Sequence, residues 1–275
     1  MLPQSAKTTH ARRPETFRAA GIRRGTTVGD LKAALSARFT NDERDMIEIE
    51  ASIVPSCDAT DDAVTALLCF KPKAPAYLDP LYRDFDDTQI DTEVGHLNFD
   101  KNFFGFTQLY PTPTGHKITA DIIAVTGLDG HAYGSWRSKT EPVRMWLRDF
   151  FSEDPPTCRT MIYGYDSKLG SVSIHTVQDY TSGLLEDIRM ARTSEEREQP
   201  IIFIGHSFGG ILITQSLLIG SEEQFGDIEA YSIYEATRAL IFFATPHRGL
   251  STERTWKSCS RSYRASSKSR SVSGY

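Results

Sequence analysis

The chain is poor in the features that mark several large classes of protein. No apolar run approaches the roughly 18 residues that a membrane-crossing helix requires, so no integral membrane segment is expected. The N-terminus lacks the hydrophobic core of a secretory signal peptide. Positive charge is not in excess: 31 Lys+Arg stand against 36 Asp+Glu, for a net charge of -5. That balance speaks against nucleic-acid binding, which needs a basic face. Cysteine is sparse, and Cys57, Cys69, Cys158 and Cys259 lie far apart without a CxxC pair. They read as reduced thiols of an intracellular protein rather than a disulfide framework or a metal site. A GxxxxGK[ST] phosphate loop and an HExxH zinc helix are both missing, and Gly127 to Gly130 does not match GxGxxG. No metal and no cofactor is therefore expected.

What is present is a chain of 275 residues, 39% hydrophobic, enough for one sizeable domain and a small one. The segment Met1 to Arg24 is basic, with Glu15 its one acid. It reads either as a mitochondrial presequence or as a frayed tail, and the frayed tail is the simpler account. Residues 1–15 are expected to be disordered.

Residues 16–75 read as a small α+β unit. Phe17 to Ile22 is a short strand. Thr26 or Thr27 can cap a helix with Asp30 in its first turn, and Leu31, Ala34, Leu35 and Phe39 follow at helical spacing. Met46 to Val54 largely alternates apolar and polar, and Ala63 to Phe70 is a further strand. The order β-α-β-β predicts part of a ferredoxin-like unit. It resembles the start of an RNA-recognition module, but the aromatic residues that stack on RNA bases are not visible. Residues 76–117, rich in Pro, Asp and Tyr with little periodicity, are expected to link this unit to the next. Within them Asn102 to Phe106 is expected to tuck against the second domain.

From residue 118 the pattern changes. Near-continuous apolar strands (Ile118 to Val125, Cys158 to Tyr163, Pro200 to Ile204, Arg238 to Ala244) alternate with helices (Arg144 to Phe151, Thr176 to Arg192, Gly209 to Ile219). This predicts an α/β domain over residues 118–250, a parallel sheet with helices on both faces. Residues 251–275 are rich in Ser, Arg and Lys, and are expected to be disordered.

The motif that carries chemistry is Gly205-His206-Ser207-Phe208-Gly209. GxSxG alone is a weak signal. Its context is strong, because a strand runs directly into it and a helix directly out of it, the setting of a nucleophile elbow. There the serine sits on a sharp, strained turn. Gly205 and Gly209 let strand and helix approach closely. The Phe208 N–H at the helix N-terminus then faces the place where an oxyanion would form. A second N–H is needed from the loop after the first strand of the domain, Thr126-Gly127-Leu128-Asp129-Gly130-His131. Leu128 is the first candidate for that donor and Asp129 the next. His131 and His206 are expected to be structural, with His206 pointing away from the serine hydroxyl. His247 ends the last strand and Asp166 follows the second, so both belong to the active-site rim; His247 reads as a structural or rim residue rather than the base, which is the alternative for it, and Asp166 is also a candidate for a displaced catalytic acid.

The stretch from Asp121 to Leu250 resembles the lipase-like serine esterases, the group that includes the serine active site-containing proteins, in the version found at the N-terminus of fungal NACHT (NOD-like) receptors. The matching residues are Val125 to His131, Met145 to Asp149, Ile162 to Ser167, Gly205 to Gly210 and Phe243 to Gly249, and Asp100 to Phe106 resembles the lead-in of the fungal proteins. The resemblance implies a partial α/β-hydrolase acting on small-molecule ester or lipid substrates through a Ser-His-Asp triad, with Ser207 as nucleophile. For some members it implies association with mitochondria or endoplasmic reticulum, beside the cytoplasmic placement that the thiols favour. Two departures stand out. Thr126 occupies a position where the family often has His. The acid and base normally follow in the order Ser, Asp or Glu, His, yet residues 251–275 contain neither histidine nor aspartate. The expectation is a C-terminally truncated hydrolase whose tail is read in a wrong frame and whose activity is impaired. The alternative is a non-catalytic interaction or signalling module, with protein partners engaged through the N-terminal unit.

Overall fold

The structure is a computed structural model that describes residues 15–58, 61–83, 87–113, 115–138, 143–153, 157–168, 176–222 and 228–247. Of the segments expected to be disordered, residues 1–14 and 251–275 lie outside the described residues, as do 248–250. The chain divides into two compact units that meet in sequence between Asn102 and Phe103, with the short loop 57–59 counted in the second. No helix among the described residues is long and apolar enough to cross a membrane.

The first unit is built on a five-stranded antiparallel sheet. Its strands are β1 (Thr16–Arg23), β2 (Glu48–Pro55), β3 (Ala63–Lys71), β4 (Asp87–Thr92) and β5 (Gly95–Asp100), in the order β2-β3-β1-β5-β4. Helix α1 (Val28–Ser36) follows β1, and a single turn, α2 (Asn41–Arg44), precedes β2. Because β3 runs antiparallel to both β1 and β2, those two strands are parallel and β3 lies between them. This is the split β-α-β arrangement expected from the sequence. Thr27 is the N-cap of α1: its hydroxyl accepts from the Asp30 N–H, and the Asp30 carboxylate accepts from the Thr27 N–H, a reciprocal capping box. Alternation then decides the faces. Phe17, Ala19 and Ile22 of β1, Ala66, Leu68 and Phe70 of β3, and Leu97 and Phe99 of β5 join Leu31 and Leu35 of α1 in one core.

Residues 76–117 are not a linker. They hold a 3₁₀ turn (Ala76–Tyr82), the β4–β5 hairpin and a strand of the second unit, β6 (Gly105–Gln108). The hairpin was obscured because its inward residues are few: Ile90 in β4, and Leu97 and Phe99 in β5. The small unit therefore extends to residue 102 rather than 75, and the second unit begins at 103 rather than 118. Of the segment Asn102 to Phe106, residues Phe103 to Phe106 belong to the second unit and Asn102 to the first. Phe103 is fully buried and stacks on Tyr133, with ring centroids 5.2 Å apart.

The second unit carries a five-stranded sheet in the order β10-β9-β7-β8-β6. Strands β7 (Ala120–Val125), β8 (Cys158–Gly164), β9 (Ile201–His206) and β10 (Thr237–Phe243) are parallel, and β6 is an antiparallel edge on β8. Every residue of β7 and β8 is buried, as parallel strands covered on both faces require. The crossovers are α3 (Trp146–Asp149), α4 (Val177–Ala191), and α5 (Phe208–Ser221) with α6 (Ile228–Ala236). One face of the sheet (Ile123, Val125, Met161, Tyr163, Ile201, Phe203) packs with α4, α5 and α6 through Leu184, Ile188, Leu212, Ile213 and Ile233. Helix α3 is a single turn, shorter than the sequence predicted, and α6 was not foreseen. From β7 the chain steps to β8 on one side, then returns to β9 on the other. The connections leaving β7 and β9 thus part at their carboxyl ends, and such a switch point opens a crevice where α/β proteins place ligands.

Candidate active site

Both predicted pieces of the site lie at that crevice. Strand β9 is a continuous apolar run that ends in Gly205 and His206, and α5 starts at Phe208, so one residue must absorb the whole change of direction. That residue is Ser207, with φ 53° and ψ -122°. This conformation is strained for any residue with a side chain, at a cost of about 1–3 kcal/mol. It is held from several sides. The Ser207 N–H donates to the Phe243 carbonyl of β10 at 2.8 Å, and the Ser207 carbonyl accepts from the Gly210 N–H at 3.2 Å. A side chain at Gly205 would lie 2.6 Å from the Gly210 Cα, and one at Gly209 would lie 2.3 Å from the Val125 carbonyl oxygen. Glycine is required at both positions because strand, turn and helix close on each other there. Ser207 itself is half-exposed.

The loop after β7 sits directly over this turn. A Cβ placed on Gly127 would fall 2.8 Å from the Ser207 Cβ and 3.2 Å from its Oγ. Of the two N–H groups considered for the oxyanion, the Asp129 N–H is already committed, donating to the Ser167 carbonyl at 2.8 Å. Asp129 itself has φ 55°, which turns the chain there. Leu128 N–H donates to no protein acceptor among the described residues, nor does Phe208 N–H, the first of α5. Of these two neighbours, it is the Leu128 N–H that meets no described acceptor.

His131 accepts the Tyr133 and Gly134 N–H groups on its Nδ1, at 3.1 and 2.9 Å, and meets the Phe103 ring edge-on. It caps the turn that follows it. His206 is exposed at the end of β9, with its ring edge-on to Trp136. His247 is exposed and packs edge-on against Phe242 of β10. Asp166 offers its carboxylate to the Lys168 N–H and its carbonyl to the Tyr180 hydroxyl. Neither forms a hydrogen bond with Ser207 Oγ, and no other described residue does.

The sequence reading missed a tyrosine cluster behind the site. Tyr163 and Tyr165 stack with centroids 6.1 Å apart, and Tyr180 tilts against Tyr165 at 5.1 Å. Burial pushes the Tyr163 and Tyr165 phenols well above the usual tyrosine range, so both stay protonated as hydrogen-bond donors. The alternation in Ile162-Tyr163-Gly164-Tyr165 was a signal, but nothing local showed what the hydroxyls reach.

Comparison with other proteins gives relatives for about half of the chain. It is similar to protein SERAC1. The Bos taurus protein is 27% identical over 168 residues, 54% of this chain and 25% of the relative. The Danio rerio protein is 28% identical over 155 residues and the Homo sapiens protein 26% over 153, each 50% of this chain and 23% of the relative. The match with SERAC1 thus spans about a quarter of the relatives' length. No family model matches the chain.

Proposed function

We propose that the second unit is a serine hydrolase domain for ester or lipid substrates, with Ser207 as nucleophile and the Phe208 and Leu128 N–H groups as the oxyanion hole. The observation that carries this is the positive-φ serine at the β9–α5 turn, pressed against the Gly127 loop. Such a turn costs stability, and strain of this kind clusters at functional sites. Attack by Ser207 Oγ on an ester carbonyl would place the developing oxyanion before two backbone donors that meet no described acceptor, at the positive end of a 14-residue helix. The likeness to SERAC1 proteins is consistent with a lipase-like or hydrolase-like domain.

No described histidine contacts the hydroxyl, so proton removal falls to water or to a group outside the described residues. A serine site without its base retains roughly 10³–10⁴-fold over the uncatalysed reaction. A fluorophosphonate probe tests the reading. Ser207 Oγ displaces fluoride from phosphorus and loses its proton to solvent, leaving a covalent adduct. The expected result is labelling at Ser207 that is lost in Ser207→Ala. A folded sample that takes up no label would sink the assignment.

A second reading, a non-catalytic interaction module related to the N-terminal domains of fungal NACHT receptors, is favoured by the same unaccompanied hydroxyl. Ester turnover that disappears in Ser207→Ala rules it out.

A further inference from the structure

The oxyanion loop is not held by its own strand alone. Three hydrogen bonds fasten it to the loop that follows β8. The Tyr165 hydroxyl donates to the Thr126 carbonyl at 2.9 Å. The Asp129 N–H donates to the Ser167 carbonyl at 2.8 Å. The Ser167 hydroxyl donates to the Gly130 carbonyl at 3.1 Å. They bracket Leu128, one before it and two after. Tyr165 and Ser167 are themselves 8% and 4% exposed, so these bonds form in a site shielded from competing water. The Thr126 carbonyl has a second neighbour: a Cβ at Gly209 would stand 2.4 Å from its oxygen. That oxygen is therefore pinned between the Tyr165 hydroxyl and the first turn of α5. Its position sets the spacing between the Leu128 N–H on one loop and the Phe208 N–H on the other.

We infer that Tyr165 and Ser167 are positioning residues for the oxyanion hole, clamping the 126–130 loop so that Leu128 and Phe208 present their N–H groups to one oxygen. The inference rests on the reading of Ser207 as the nucleophile. Neither side chain is assigned contact with substrate. Removing an oxyanion donor outright costs about 10²–10³-fold, and misplacing one by an ångström about 10²-fold. Loosening one hydrogen bond of the clamp should cost less, about tenfold.

The test uses the full chain, with Tyr165→Phe and Ser167→Ala compared with Tyr110→Phe. The last also loses a buried hydroxyl, one bonded to the Cys158 carbonyl and to Thr160, but far from the elbow in the sheet. Two quantities are read. The first is hydrogen exchange of the 127–130 amides, which should quicken about tenfold in the two clamp variants while β7 and β9 stay protected. The second is the rate of fluorophosphonate labelling at Ser207, which should fall about tenfold, together with a fall in kcat for p-nitrophenyl acetate at unchanged KM. Tyr110→Phe should change neither. If Tyr165→Phe loses β7 protection and is misfolded, Ser167→Ala decides alone. A labelled parent whose clamp variants show parental loop exchange, or faster exchange with parental labelling and kcat, overturns the inference and leaves the hydrolase reading standing. A folded parent that is not labelled overturns both.

Discussion

The two ends of the parallel sheet carry opposite designs. At the amino-terminal end charge is buried and fully matched. Asp121 of β7 is completely buried and takes both prongs of the Arg159 guanidinium from β8, at 2.6 and 3.0 Å. It also accepts Arg192 at 2.6 Å, and Arg192 reaches on to the carbonyls of Glu196, Arg197 and Gln199. At the carboxyl-terminal end the described residues form no such network of buried charges. Instead there are residues at positive φ, among them Asp129, Ser207 and Ala244, and the Leu128 and Phe208 N–H groups, which meet no acceptor among the described residues. Satisfied charges lock one end in place. Strain and unsatisfied donors at the other are tolerated because the rest of the sheet over-determines them, and they are what chemistry can use.

The sharpest break of this comparison is the pair Ser207→Ala and Asp121→Ala. The first should abolish covalent labelling and leave the thermal midpoint near that of the parent. The second should lower stability by about 3–5 kcal/mol in denaturant titration, because it strands two guanidinium groups that are only 10% and 4% exposed. If Asp121→Ala unfolds no more easily than the parent, the amino-terminal end is not the lock described. Gly209→Ala should come next, at about 1–3 kcal/mol, since its methyl group would meet the Val125 and Thr126 carbonyl oxygens. It should also slow labelling by pushing the two proposed oxyanion donors apart.

Asp187 of α4 offers a smaller, pH-dependent effect. Burial raises its carboxyl above the ordinary value, against the opposing hydrogen bond from Tyr163. The folded state therefore holds this proton more tightly than the unfolded chain. That contribution favours the fold at acid pH and is lost as pH rises from the usual aspartate range through the raised value. Asp187→Asn should remove this dependence and raise the thermal midpoint slightly at neutral pH. A lower midpoint there, or an unchanged pH profile, would count against it. The smallest effect is expected at the sheet edge. Leu240, Ile241 and Phe243 of β10 are 44%, 43% and 44% exposed, in contrast to the buried β7. Leu240→Lys should change stability by less than about 0.5 kcal/mol and reduce self-association in light scattering, since a charge blunts an open strand edge.

Much of this was written locally. Helix α1 was legible from Thr27, Asp30 and the Leu31, Ala34, Leu35 spacing, because capping and periodicity act within a few residues. The elbow was legible for the same reason: a strand, one serine between glycines and a helix are contiguous. The β4–β5 hairpin was not, because Asp87 to Asp100 buries only a few apolar side chains and its pattern is as polar as a loop. Strand β6 owes its existence to a partner, β8, more than fifty residues away in the chain.

The sequence by itself determined which residue would bend between β9 and α5, since glycine on either side leaves room that no other residue type does. It also determined that β7 and β8 would be buried on both faces, since they carry almost no residues suited to water. Only the tertiary structure decided which N–H groups remain open and which side chains steady them. Asp129 and Leu128 are neighbours of equal standing in the sequence, and a carbonyl 38 residues further on takes the amide of one and not the other. Tyr165 is a buried aromatic until folding brings its hydroxyl to Thr126. Hydrogen bonds across such distances follow from where the strands place the loops, and no local pattern records them.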